Sequence, residues 1–321
     1  MTGLALRQST ALLDEDVSIP LPRGFKLASG DVLEDGEILA RLQGAAGAPA
    51  VVVLGGISAG RKPAGDGGWW RDIVGEGAAI DLKRYQVLGL EFAPLNDQRV
   101  RITPDDQARL IEYALDALGI ERLHAFVGAS YGGMVGLAFA ARAPSRLERL
   151  CVICAAHRPA SLGGAWRGIQ RRIVEFGLAH GDGDAGLALA RQLAMTTYRS
   201  PEEFEHRFAP GVDAQGAGAA DGYLIARGEA YPKVIPPKRW LSLSEAIDRH
   251  DVEPERVSVP TTLAACTSDQ LVPLAEMQDL ATRLPRLTGF HTLSSIYGHD
   301  AFLKEVDAVS AVVSAALESD A

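Results

Sequence analysis

Hydrophobic and polar positions change period several times along the chain, and the changes outline an alternation of buried strands and amphipathic helices. Residues 49–54 (Pro-Ala-Val-Val-Val-Leu) form an unbroken apolar run, as a strand covered on both faces requires. Residues 85–90 predict a second strand. From 105 to 118 the residues Ala108, Ile111, Leu115 and Leu118 recur at helical spacing, and Gly119 ends the helix. A further strand-like run at 124–127 leads through a glycine-rich turn into an alanine-rich stretch, 134–141, and 147–155 reads as another strand. Strands alternating with helices predict a doubly wound, mostly parallel sheet.

The pattern breaks at Pro159. Helical stretches at 166–179, 185–196 and 201–208 follow with no strand signal, then a Gly/Ala/Asp-rich loop over 211–221. Alternation resumes only at Val257, and Pro236-Pro237 marks the return boundary. The expected organisation is a core over 1–158, an inserted helical lid over 159–240 that covers the ligand site, and the rest of the core over 241–321. In that last part, 259–266 reads as a buried strand emptying into the polar loop 267–273. Residues 291–293 read as a short strand before the last helix, which begins near Tyr297.

The glycine-rich turn carries the first chemistry. Gly128-Ala129-Ser130-Tyr131-Gly132 is a G-x-S-x-G segment with a strand before it and a helix after it, the layout of a nucleophile elbow in an α/β-hydrolase. Glycines at the flanking positions let strand and helix meet at a turn where side chains would collide. Ser130 is then lifted clear of the sheet, with helix N-terminal N–H groups beneath it to hold developing negative charge. A serine needs a base, and in such proteins the order is Ser, then Asp or Glu, then His. Asp269 follows the strand at 259–266 and His299 follows the one at 291–293, so both fall at C-terminal strand ends, where ligands of such sheets sit. Ser130 is the expected nucleophile, His299 the base, and Asp269 the group that fixes the tautomer of His299. Among seven histidines, only His299 sits in a Gly-His loop after a terminal strand. Asp251 precedes its strand, and Asp300, beside His299, points elsewhere and is better placed to bind substrate.

Composition narrows the partners. A net charge of −9 without a basic block argues against nucleic acid, and leaves any anionic substrate to local arginines. No run of about 18 apolar residues exists, and Met1 to Arg7 lacks a signal-peptide layout, so the expected compartment is the cytoplasm. Cys151 and Cys154 have CxxC spacing inside an apolar strand and read as buried structural thiols, with no metal site suggested. The acidic turn 181–184 lacks the remaining ligands of a calcium site.

Over nearly its full length the chain resembles the homoserine O-acyltransferase family of α/β-hydrolase enzymes. The matching stretches run from Gly68-Trp69-Trp70, Ala79-Ile80-Asp81 and Arg84-Tyr85 to the elbow Ser130-Tyr131-Gly132-Gly133-Met134. They continue through Ala165-Trp166, Ile169-Gln170-Arg171, Thr197-Tyr198-Arg199, Glu203-Phe204, Arg207-Phe208 and Ala246-Ile247-Asp248. The last are Ser268-Asp269, Val272-Pro273 and Gly298-His299-Asp300-Ala301-Phe302-Leu303. The resemblance implies acyl transfer in two half-reactions. Ser130 takes the acyl group from an acyl-CoA co-substrate, and a hydroxyl amino acid such as homoserine, deprotonated by His299, then receives it. No cofactor is implied. By alignment, the oxyanion donors are the backbone N–H groups of Tyr131 and Ile57, and Arg199 and Asp300 bind the carboxylate and ammonium of the amino acid. Homodimerisation through the lid is also implied.

Departures from the acetyl-transferring members point to succinyl transfer. This chain has Glu91-Phe92-Ala93-Pro94-Leu95-Asn96-Asp97 where they carry a longer Gly/Ser-rich stretch, and Ser130-Tyr131 where they read Ser-Met. The specificity loop Gly55-Gly56-Ile57-Ser58, with Ala59 after it, looks like that of succinyl-transferring members. Arg167 follows Ala-Trp where acetyl-transferring members tend to have a small neutral residue, and is the candidate partner of a succinyl carboxylate. The expectation is transfer from succinyl-CoA to L-homoserine. Acetyl transfer, acylation of serine and plain ester or amide hydrolysis remain alternatives.

Overall fold

The computed structural model describes residues 12–34, 36–212 and 216–318. Residues 1–7, read above for a leader, lie outside them. Eight strands form one sheet in the order β1 (Leu13–Pro20), β2 (Glu37–Gly44), β6 (Gln86–Leu90), β3 (Ala50–Leu54), β7 (Ala125–Ala129), β8 (Leu150–Ile153), β9 (Thr261–Cys266) and β10 (Leu287–Leu293). The first two, β1 and β2, are antiparallel, and β2 joins the body of the sheet antiparallel to β6. All other pairings are parallel: β3, β7, β8, β9 and the edge strand β10. A two-strand pair of two residues each, β4 (Val74–Gly75) and β5 (Ile80–Asp81), stands apart.

Every residue of β3, β7, β8 and β9 is buried, which explains their apolar composition, interrupted only by Thr261 and Thr262 at the start of β9. The two faces feed separate cores. Along β3, Val52 and Leu54 face one side, while Val51 and Val53 face the other. The first core is covered by α1 (Pro104–Ala117), α2 (Tyr131–Arg142) and later α8 (Leu274–Arg283), the second by the loop around Trp70 and by α10 (Val306–Glu318). Thr103 caps α1 through a reciprocal capping box with Asp106, so the helix starts where the side-chain chemistry dictates.

Between β8 and β9 the described chain is helical: α3 (Ser161–Ala179), α4 (Gly183–Tyr198), α5 (Pro201–Arg207), α6 (Ala219–Ala230) and α7 (Pro237–Asp248). Two of these were not expected. Helix α6 begins inside the expected loop over 211–221, of which 213–215 lie outside the described residues. It carries Gly222 and Gly228, poor helix formers, yet a Cβ at Gly228 would sit 2.5 Å from the Ala188 carbonyl oxygen of α4, so close packing selects glycine there. Helix α7 has Pro237 at its first position, where proline starts helices as readily as it ends segments, and it runs past the expected boundary at 240. The antiparallel strands β1 and β2 also escaped the sequence reading, because their half-buried faces lack a long apolar run.

Candidate active site

Three loops at the C-terminal ends of β7, β9 and β10 converge. Ser130, between β7 and α2, has φ 55° and ψ −125°, a region that side chains rarely occupy. The glycines around it are sterically compulsory. A Cβ at Gly128 would lie 2.3 Å from the Gly132 carbonyl oxygen, and one at Gly132 2.3 Å from that of Leu54. The Gly132 N–H donates to the Gly55 carbonyl at 2.8 Å, tying the elbow to the loop after β3.

Ser130 Oγ lies 2.8 Å from His299 Nε2, and His299 Nδ1 lies 2.7 Å from Asp269 Oδ2. The other carboxylate oxygen of Asp269 accepts backbone N–H bonds from Leu271 (2.8 Å) and Val272 (2.9 Å), which locks the acid in place. Burial disfavours charge on His299, but the charge and hydrogen bond of Asp269, with a smaller contribution from Asp300, outweigh it and raise its pKa above the ordinary imidazole value. The same groups would stabilise an imidazolium at His299.

Ile57 and Tyr131, the expected oxyanion donors, line the same cavity as Ser130. A methyl group on Gly56 would lie 3.9 Å from Ser130 Oγ, so the 55–58 loop runs beside the hydroxyl. Among the described residues, neither the Ile57 nor the Tyr131 N–H donates to a protein acceptor. Ser58 Oγ is 2.6 Å from the hydroxyl of Tyr231, which pins this loop to the helical segment. The side chain of Tyr131 is buried edge-on against Phe92, away from the chemistry.

A cavity of about 290 Å³ opens above Ser130 and His299, between the sheet and the helices α3 and α4. Asp300, Arg158, Arg167 and Arg191 lie on its wall, whereas Arg199 does not. Arg199 Nε stands 2.9 Å from Asp300 Oδ2, at an angle that leaves its N–H without an acceptor, and Arg199 Nη1 is 3.3 Å from Glu203. Its segment is clamped onto the loops that carry Asp269 and His299. Gln270 Nε2 donates to the Arg199 carbonyl, Ser200 Oγ donates to the Ile296 carbonyl, and a Cβ at Gly298 (φ 59°) would sit 2.6 Å from the Tyr198 carbonyl oxygen. Arg167 is neither free nor solvated: its Nε and Nη2 lie 2.8 and 2.6 Å from Asp248 Oδ1, while Arg171 takes Oδ2 of the same carboxylate at 2.6 Å. The stretch 91–97 is held by Arg239 of α7, through Glu91 Oε1 and the carbonyls of Phe92 and Pro94.

Sequence reasoning assigned no role to Asp248, Arg191 or Tyr231. Arg191 stands seven residues before Tyr198 on α4, so helical spacing puts both on one face. Asp248 ends the unexpected helix α7; the resemblance picks out its stretch, Ala246-Ile247-Asp248, but nothing local marks it as the partner of two arginines. Cys151, Cys154 and Cys266 are buried free thiols, and burial pushes the Cys151 thiol up to about 12. No helix among the described residues is long and apolar enough to cross a membrane.

Residues 49–306 match the family model of the alpha/beta hydrolase fold, the class that the sheet and the Ser-His-Asp arrangement describe. The homoserine O-succinyltransferase of Xanthomonas campestris pv. campestris is 44% identical over 287 residues, covering 87% of this chain and 78% of that protein. The homoserine O-acetyltransferase of Mycobacterium tuberculosis is 31% identical over 90% of both chains. This chain belongs to the homoserine O-acyltransferase family. Among solved structures, the homoserine O-acetyltransferase from Bacillus anthracis superposes with a TM-score of 0.84 at 16% identity, covering 96% of this chain and 98% of that one. The acetyl esterase MekB superposes at 0.78 and 20% identity, covering 95% and 97%. At such identities the structures speak to the fold alone.

Proposed function

We propose that the protein transfers a succinyl group from succinyl-CoA to the hydroxyl of L-homoserine, releasing CoA, as a step of methionine biosynthesis. The observation that carries this reading is the 44% identity, over most of the chain, to a homoserine O-succinyltransferase, against about 31% to acetyl-transferring relatives. Ser130 Oγ attacks the thioester carbonyl as its proton passes to His299 Nε2, and the oxyanion receives the N–H groups of Ile57 and Tyr131. Collapse breaks the C–S bond, and the leaving thiolate takes the proton from His299. The homoserine hydroxyl then gives its proton to the same nitrogen and attacks the Ser130 ester, and Ser130 leaves with that proton. Helices over the cavity support transfer over hydrolysis, since excluding water leaves the amino acid hydroxyl as the available nucleophile.

In this reading Asp300, on the cavity wall, takes the ammonium of homoserine, and Arg199 is its cationic counterpart for the carboxylate. Arg167 takes the terminal carboxylate of the succinyl group. One carboxylate, Asp248, serves two guanidinium groups there, so the cluster keeps a positive charge that a second carboxylate would neutralise. Cytoplasmic residence and a homodimer formed through the helical segment complete the proposal. The test is CoA release by purified protein, with succinyl-CoA or acetyl-CoA against homoserine, serine or no acceptor. Homoserine-dependent consumption of succinyl-CoA is expected. A preference for acetyl-CoA would overturn the donor, and release independent of any acceptor would identify a hydrolase.

A further inference from the structure

The chain crosses between the sheet and the helical segment twice, and the two crossings touch. The outgoing one, 154–160, leaves β8, and the returning one, 249–260, runs from α7 to β9. The Val252 N–H donates to the His157 carbonyl at 3.0 Å and joins them. Each crossing also buries a histidine: His157 is 2% exposed and His250 3%. Buried ring nitrogens are ordinarily hydrogen-bonded. Here His250 Nε2 and His157 Nδ1 are both sealed from solvent without a hydrogen-bond partner.

The surroundings of His250 suit a neutral ring and not a charged one. The ring lies against the Ala156 backbone and near His157, both on the outgoing crossing. Beside it opens a second cavity, of about 620 Å³, away from Ser130. The charged groups on that cavity's wall are Asp105 of α1, Arg142 of α2, and Arg249, Asp251, Glu253 and Arg256 of the returning crossing itself. Three arginines offset three carboxylates, and among the described residues no carboxylate forms an ion pair with His250. Burial, reinforced by His157, outweighs the Ala156 backbone and pulls the pKa of His250 down to about 3. His157 is also pulled down, by burial and then by Arg283, with Arg158 adding to them and Asp279 and Glu276 opposing. Its Nε2 stands 3.2 Å from Arg283 Nη1 and 3.4 Å from Asp279 Oδ2 of α8.

We propose that the two crossings form an acid-released latch, which seats the helical segment over the active-site cavity only while the His250 ring is uncharged. A proton taken up inside the closed latch leaves an imidazolium with neither anion nor water, so the charged ring is reached by parting the crossings and wetting it. The seated segment places Arg167 on the cavity wall and, through Tyr231 on Ser58, holds the loop beside Ser130. Its seating therefore governs how the site is covered. The latch acts on that cover alone and holds whichever acyl group and acceptor the site takes.

A ring that titrates at 6.5 when wetted and at about 3 when sealed makes opening easier as pH falls below 6.5. From pH 7 to pH 5 the open population should rise by about 25-fold. Amide hydrogen exchange of the full-length protein reads this at Val252 and its neighbours, as protection factors, which divide out the intrinsic pH dependence of exchange. Protection at both crossings is expected to fall by about 25-fold while β3 and β7 keep theirs, and His250→Gln, neutral at every pH, to remove most of that fall. A fall of less than about threefold, an equal fall in β3 and β7, or an undiminished fall in His250→Gln would each overturn the latch. Should His250→Gln not fold, deuterium exchange at the ring C2–H of the unaltered protein gives the titration of His250 directly. A midpoint below about 5 is expected, and one at or above it would overturn the proposal.

Discussion

Replacing Ser130 by alanine and by glycine should invert the usual order of their stabilities. Ser130 holds φ 55° and ψ −125°, where a Cβ is crowded and glycine is at ease. Strain of this kind costs about 1–3 kcal/mol, against which glycine loses about 0.5–1 kcal/mol through the greater freedom of the unfolded chain. Both variants lose the 2.8 Å bond to His299, so their difference isolates the backbone. Ser130→Gly should therefore exceed Ser130→Ala by about 1 kcal/mol. In urea, with a slope of about 3 kcal/mol per molar for a chain of this size, that is a midpoint higher by about 0.3 M. Neither variant should form an acyl-enzyme. If alanine proves as stable as glycine or more so, the elbow is not strained in solution. The exposure of Oγ would then need another explanation than a turn held against its own preference.

Three further outcomes follow from the site. Asp269→Asn removes the charge that raises the pKa of His299, so the acid limb of the kcat/KM profile, which lies above 6.5 when the base must be neutral, should move to lower pH. Its kcat should fall by about 10⁴-fold, and an unmoved limb would show that Asp269 does not set the basicity of His299. Asp248→Asn leaves Arg167 and Arg171 without their shared anion and should destabilise the fold by about 2–3 kcal/mol, measurable by denaturant unfolding; a loss below half of that would mean that water already satisfies both arginines. Arg167→Ala should reduce kcat/KM for succinyl-CoA by at least about tenfold more than for acetyl-CoA, and an equal loss with both donors would remove Arg167 from donor recognition.

The chain's own pattern determined the parallel centre of the sheet, the elbow and the three residues that meet there. Each rests on local information: a short unbroken apolar run, rich in β-branched residues and bounded by turn residues, fits a strand buried on both faces, and G-x-S-x-G between strand and helix leaves few backbone paths. The order of Asp269 and His299 after their strands was likewise legible, because loops at strand ends are where such sheets gather their chemistry. The antiparallel pair β1 and β2 at one side of the sheet was not, since a half-exposed antiparallel ribbon takes its identity from its partner. Nor were α6 and α7, whose glycines and prolines speak against a helix until the packing against α4 and the core is known. Charge pairing depended most on tertiary structure. Arg158, Arg167, Arg191 and Arg199 look alike in sequence, and only the folded chain gives Glu276 to one, Asp248 to another, Asp300 and Glu203 to a third, and none of these acids to Arg191. Partners such as Asp248, 81 residues from Arg167, are brought together by the packing of α3 against α7, and ion pairing across such a separation leaves no periodic trace in the chain.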